Sequence, residues 1–180
     1  FRPLFFIDKY AALAKQDNKN SSGLSFIGTV HSDRYQLVHE IKQQVARLGI
    51  KSTFFMYFPS PVLFAYKKLS DIKFYKARFR EFSFKSLPQT AIIKRISDAQ
   101  AVLDIQHPAQ TGLTMRTLEM LGAQKKLITT NTAIRNYDFY CEQNIYIIDR
   151  QHPVVDQAFF KTCYRPVPEA IYFKYSIAGW

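Results

Sequence analysis

The chain has 180 residues, 47% hydrophobic and 22% charged, which suits a folded globular domain and excludes a disordered polyelectrolyte. Its net charge of +11 favours polyanionic partners such as nucleic acid, anionic lipid headgroups or phosphate-bearing small molecules, although the basic residues fall in pairs such as Lys67-Lys68 and Lys125-Lys126 and form no long block. No apolar run approaches the ~20 residues needed to span a bilayer, no signal peptide opens the sequence, and Cys141 and Cys163 stand in no metal-ligand spacing, so reduced thiols in a cytoplasmic protein are expected.

Taken in chain order, Phe1 to Tyr10 is apolar with Pro3 near its start and reads as a strand or turn entering the domain. Gln16 to Ser22 is polar and reads as a loop, so residues 1–22 are expected to be a linker and 23–180 the domain. A start at Phe1-Arg2-Pro3 without Met reads as a fragment of a longer protein. Leu24 to Val30 is an apolar run typical of a buried strand. Ser32 is placed to cap the next helix and Asp33 to favour its first turn; Leu37, Ile41, Val45 and Leu48 share one face, and Gly49 ends it. Ser52 to Phe58 is a second strand, and Pro59 and Pro61 lead into a helix through Leu69. Phe79 to Phe84 alternates and predicts a third strand. A helix follows from Pro88 to Ala99 with Ile92, Ile93 and Ile96 inward. Ala101 to Ile105 is a strand, Gln106 to Thr111 a loop, Leu113 to Leu121 a helix, Lys126 to Thr130 and Ile145 to Ile148 strands. Helices are expected over Val155 to Thr162 and from about Glu169.

This alternation predicts an α/β, Rossmann-like parallel sheet with helices on both faces. In such sheets ligands bind at the carboxyl ends of the strands. Two loops therefore matter most, Gly28 to Asp33 and Ile105 to Thr114, with Gly28 and Gly112 expected near the carboxyl ends of neighbouring strands. The start of the helix after Gly112 offers free backbone amides and a favourable dipole for an anion. Thr111 and Thr114 supply hydroxyls, Gly112 admits close backbone approach, and Arg116 adds a cation suited to a diphosphate. Glu119, three residues on, either accepts hydrogen bonds from a ribose or forms a surface pair with Arg116. His31 either donates to a phosphate or bonds the local backbone, and Arg34 either reaches the diphosphate or stands exposed. His107, before Pro108, reads as fixing its loop, while His39 and His152 read as incidental. Asn136 to Tyr140 either lines the cleft or packs on the sheet edge. No HxxxH or Asp-x-Asp pattern is present, so no metal and no cofactor are expected.

The stretch QTGLTMRTLEMLGAQKKLITTN, Gln110 to Asn131, resembles the donor-site motif in the carboxyl-terminal domain of GT-B-type glycosyltransferases. Glu119 matches the family's ribose-binding Glu and Gly112 its glycine, while Thr111 stands where the first Glu usually is, so that residue's sugar contact is not carried over. Phe82-Ser83-Phe84, Leu87-Pro88 and Ala99 to Asp104 resemble the family's base-binding stretch, and Leu24 to Arg34, including Gly28 and Thr29, its first strand and loop. FIGTVHSDRY, DIQHPAQTGLTMRTLE, KKLITTN and NYDFY are similar to proteins of bacterial lipopolysaccharide and capsule synthesis. The resemblance runs from about Leu24 to Arg150 and implies metal-free transfer of a sugar from a nucleotide sugar to a saccharide or lipid-linked acceptor, in the cytoplasm or at the inner membrane face. The acceptor and the catalytic base are then expected from a domain upstream of Phe1, and no catalytic residue is assigned here. A nucleotide-sugar epimerase or hydrolase of the same fold is the alternative. A basic nucleic-acid-binding module is disfavoured, since no recognised motif or basic cluster supports it.

Overall fold

The computed structural model describes residues 4–15, 23–30, 33–72, 74–110 and 112–180. Among these residues six strands form one sheet: β1 (Leu24–Thr29), β2 (Ser52–Tyr57), β3 (Phe82–Ser83), β4 (Ala101–Asp104), β5 (Lys126–Thr129) and β6 (Ile145–Ile147). Every pairing is parallel, in the order β3-β2-β1-β4-β5-β6. This is the doubly wound Rossmann order, and its direction reverses between β1 and β4.

Among the described residues, seven α-helices cover the sheet: α1 (Asp8–Ala14), α2 (Arg34–Arg47), α3 (Pro61–Ser70), α4 (Gln89–Asp98), α5 (Met115–Ala123), α6 (Gln157–Lys161) and α7 (Glu169–Lys174). Alternate strand residues point to opposite faces, and the core divides accordingly. On one face Phe26, Leu103 and Ile128 meet α2, α3 and α6; on the other Val102, Leu127 and Ile145 meet α1, α4, α5 and α7. The predicted α/β sandwich is thus present, with helices on both faces.

Local chemistry explains the boundaries. Ser60 accepts from the Leu63 amide to cap α3, with Pro61 in the first turn. Thr114 caps α5 by accepting from Thr117 N, and Asp156 caps α6 by accepting from Ala158 N. Gly49, at φ +68°, closes α2 in the left-handed conformation. Gly23, at φ +80°, lies so close to β2 that a Cβ would stand 1.8 Å from the Lys51 carbonyl oxygen.

Two sequence expectations are corrected. Phe1 to Tyr10 is expected as a strand or turn; among its described residues, 8–10 belong instead to α1, whose Tyr10 and Leu13 are buried against α5. Phe79–Phe84 is a 3₁₀ turn over Phe79–Glu81 followed by a two-residue strand. The Glu81 carboxylate accepts from the Arg78 amide at 3.0 Å and from the Tyr35 hydroxyl at 2.9 Å, which favours a turn where alternation alone favours a strand. Ser32, expected as a helix cap, lies outside the described residues; Asp33 occupies the cap position of α2, but its carboxylate makes no cap bond.

Candidate functional site

The reversal between β1 and β4 brings together the residues that follow the carboxyl ends of β1, β4, β5 and β6. Gly28 and Thr29 close β1, and the loop carrying Gly112 follows β4, so the two glycines stand at neighbouring strand ends. A Cβ at Gly112 would meet nothing within 4 Å, which leaves its backbone open to close approach. Asn131, just after β5, fixes this loop: its Nδ2 donates to the Gly112 carbonyl at 3.1 Å while its Oδ1 accepts from Ala133 N at 3.0 Å.

Asp104, the last residue of β4, is the buried acid of the crevice. The Thr114 hydroxyl donates to its carboxylate and also accepts from Thr117 N, so one threonine ties the strand end to the start of α5. Burial pushes the Asp104 carboxyl up from its ordinary range, against the pull of the Thr114 hydroxyl and of the Arg116 and Arg34 charges.

Arg34 stands in the first turn of α2, with Nη1 donating to the Thr29 carbonyl at 2.8 Å. Burial lowers its guanidinium from the ordinary value and the nearby Arg150 charge lowers it further, while Asp104 and Asp33 oppose the shift. An arginine stays protonated across ordinary pH, so this depression measures how poorly its charge is solvated. Arg150, just after β6, grips Asp33 through Nε at 2.7 Å and Nη2 at 3.0 Å, and donates through Nη1 to the Gln106 carbonyl at 3.0 Å. It straps together the strand ends on both sides of the reversal.

Buried polar atoms without partners are unusual in folded proteins. Among the described residues there are three such side-chain atoms: Arg34 Nε, Gln106 Oε1 and His39 Nδ1. The first two belong to this crevice, one an orphan donor on a desolvated cation and the other an orphan acceptor. His39 lies elsewhere, near Glu81.

Arg116 and Glu119 form an ion pair of 2.6 Å on α5, each largely buried. The pair rests against α1, where burial, then the Glu119 hydrogen bond and charge, push the Tyr10 hydroxyl up to about 12. Both charges also act on Asp104, which puts the pair at the junction of α1 and the crevice. Phe84 directly follows β3 and packs in the aromatic cluster of Phe64 and Phe79. His107 fixes its own loop, its Nδ1 accepting from Ala109 N at 3.2 Å. Asp138, in the aromatic NYDFY segment, accepts from Lys174 at 2.6 Å and from the Tyr175 hydroxyl at 2.7 Å, while Phe139 is buried. His31 and Thr111 lie outside the described residues. Sequence reasoning passed over Asp104, Arg150 and Asn131. Asp104 ends β4, and Asn131 and Arg150 stand two and three residues past the ends of β5 and β6, which is the signal that pointed to them.

The described residues hold no group of three or more His, Cys, Asp or Glu able to bind a metal, and no described helix is long and apolar enough to cross a membrane. No protein-family model and no curated protein matches the sequence. Among solved structures, the chain is similar to a Listeria monocytogenes protein described as a UDP-N-acetylglucosamine 2-epimerase, with a TM-score of 0.38 and 8% identity. The match covers 78% of this chain and 39% of that one, so the chain spans well under half the length of that protein.

Proposed function

We propose that this crevice binds the diphosphate of a nucleotide sugar and that the chain is the donor-binding part of a metal-independent glycosyltransferase. The observation that carries the reading is the orphan buried donor Arg34 Nε, on a cation whose charge is poorly solvated, in the strand-end cluster with Arg150 and Asp104. A desolvated arginine with an unused donor gains most from a charge-assisted hydrogen bond to an oxyanion. The first amides of α5 lie outside its own hydrogen-bond ladder and add a dipole of the right sign. Asp104 does not oppose an anion as strongly as an exposed acid would, since burial works against its ionised form.

In this reading the diphosphate lies over Gly112, where no side chain intrudes, with Arg34 and Arg150 on the β1 and β6 sides. As the sugar leaves, negative charge grows on the departing phosphate, and preorganised donors in a partly dry site stabilise it. Glu119 offers the ribose whatever acceptor capacity Arg116 and Tyr10 leave on its carboxylate. The resemblance of Gln110 to Asn131 to the donor motif supports a sugar nucleotide over a bare phosphate ester. A surface-polysaccharide acceptor and a catalytic base contributed by another domain complete the proposal.

The test is a melting screen with nucleoside diphosphates, their sugar conjugates, nucleosides and inorganic pyrophosphate. A true ligand at ~100 times its Kd raises stability by about 2.7 kcal/mol. Stabilisation by diphosphates but not nucleosides supports the site, and stabilisation by neither defeats the proposal.

A further inference from the structure

The segment from α3 to β3 is built inside out. Only Phe64 of α3 is buried, and its ring joins Phe58, Phe74 and Phe82 in an aromatic cluster that anchors the helix. The other large apolar side chains point outward. Of the thirteen exposed large hydrophobic residues among the described ones, seven lie between 62 and 79. Val62, Tyr66 and Leu69 follow spacings of four and three and share one face of α3, and just past the helix end Ile72 and Tyr75 line one surface hollow with Leu69, so the five make one patch; Leu69 and Ile72 are 91% and 89% exposed. A helix packed on a globular core normally keeps such residues inward, so this face is made to meet something.

Charge states what that partner is. Residues 61–85 contain seven Lys or Arg and two acids, a net of 7 − 2 = +5 against +11 for the whole chain. Glu81 is occupied by Tyr35 and the Arg78 amide, and Lys68 turns inward to the Ala77 carbonyl. Lys76, Arg78 and Arg80 are exposed beside the patch, as is Lys85 beyond it. Protruding aliphatic groups, two tyrosines and a basic surround match the interface of an anionic bilayer: apolar tips enter the acyl boundary, tyrosines sit at headgroup level and cations pair with lipid phosphates.

We propose that α3 and the turn after it form a docking surface for an anionic lipid bilayer, with Leu69 and Ile72 inserted and Lys76, Arg78 and Arg80 on the headgroups. Net charge alone predicts only a diffuse attraction; the structure localises it to one amphipathic face. The proposal is independent of what the crevice binds.

The experiment uses the full chain with vesicles of phosphatidylcholine alone and of phosphatidylcholine mixed with phosphatidylglycerol. Co-sedimentation is expected with the anionic vesicles only, weakening as salt rises. Lys76→Gln with Arg80→Gln should lower partitioning roughly thirty-fold, about five-fold for each basic side chain near the surface. Leu69→Ser with Ile72→Ser should lower it at least roughly ten-fold through lost apolar burial. These side chains are exposed, so unchanged melting temperatures verify the fold. Leu69→Trp in a Trp180→Phe background should shift its emission to the blue on anionic vesicles and not on neutral ones. Three outcomes overturn the proposal. They are no binding to anionic vesicles, binding unaffected by the Leu69 and Ile72 changes, and sedimentation equilibrium showing that the patch instead joins two copies of the chain.

Discussion

Replacing Arg34 with Met separates a binding arginine from a structural one. Methionine keeps an apolar stem of similar reach and removes the cation. Among the described residues the guanidinium makes one bond, Nη1 to the Thr29 carbonyl at 2.8 Å, and leaves Nε without a partner. That charge-assisted bond contributes ~1.5–3 kcal/mol, and removing a poorly solvated charge offsets most of the loss. Asp104 loses a favourable charge but keeps the Thr114 hydroxyl, and its carboxyl moves further toward the neutral form. The net change in stability should stay within about 1 kcal/mol. In the complex the same guanidinium faces a phosphate, where a charge-assisted hydrogen bond contributes ~1.5–3 kcal/mol, or roughly 10- to 150-fold in Kd. Calorimetric titration with the best diphosphate from the screen, beside melting curves of both proteins, reads the two quantities separately. An Arg34→Met protein that melts well below the parent yet binds with the parent Kd would refute the reasoning and make Arg34 a tie to β1.

Gly112→Val should leave the melting temperature near the parent value, since its Cβ meets open space, yet abolish tight diphosphate binding; retained affinity would place the phosphates elsewhere. Gly23→Ala should cost at least about 3 kcal/mol, because positive φ adds to a 1.8 Å clash with the Lys51 carbonyl; a melting point within ~2 °C of the parent would contradict this. Burial pulls the Lys125 ammonium down to about 8, against the Asp98 charge. Its folded pKa thus lies below the unfolded value, the unfolded chain binds more protons from about pH 8 to ~10.4, and stability rises with pH across that window. Lys125→Met should flatten that rise between about pH 7 and 9.5 in denaturant titrations, below the range where tyrosines ionise. Glu119→Ala should weaken nucleotide binding and Tyr10→Phe strengthen it if the ribose uses this carboxylate; unchanged affinity in both would leave Glu119 as a support for α1 alone.

The fold was legible because its strands are short apolar runs separated by strongly periodic helices. Parallel strands covered on both faces leave that signature, and Leu24–Thr29, Ser52–Tyr57 and Lys126–Thr129 all carry it. A helix stop sharpened the picture, as Gly49 shows, while the cap at Thr114 lies inside the stretch that spacing assigns to the helix. Two segments were not legible for specific reasons. Residues 8–14 form a helix whose Tyr10 and Leu13 dock on α5, and Gly122 of α5 leaves room for Phe6, whose ring a Cβ there would meet at 2.6 Å. That contact joins residues more than a hundred positions apart. Phe79–Phe84 alternates like a strand, but Glu81 captures the Arg78 amide and bends it. A carboxylate directly before a strand competes with the ladder for backbone donors, and no period reports it.

The candidate site was half legible for the same reason. Gly112, Thr114, Arg116 and Glu119 lie within eight residues, so spacing could group them. Arg34 and Arg150 are 116 positions apart, and only the crossing from β1 to β4 and on to β6 brings them to one edge of the sheet. The topology then sets the electrostatics. Arg150 is neutralised by the two oxygens of Asp33, which leaves Asp104 as the counter-charge for Arg34. Burial pushes that carboxyl toward its neutral form, so the closer Asp104 comes to protonation, the less Arg34 is compensated. A motif search that begins at Gly112 finds the helix and its dipole, whereas the unsatisfied cation emerges only when the strand ends are assembled. An anion entering the crevice would meet both at once, and it is the arginine, with an unused donor and little solvent, that gains most from its arrival.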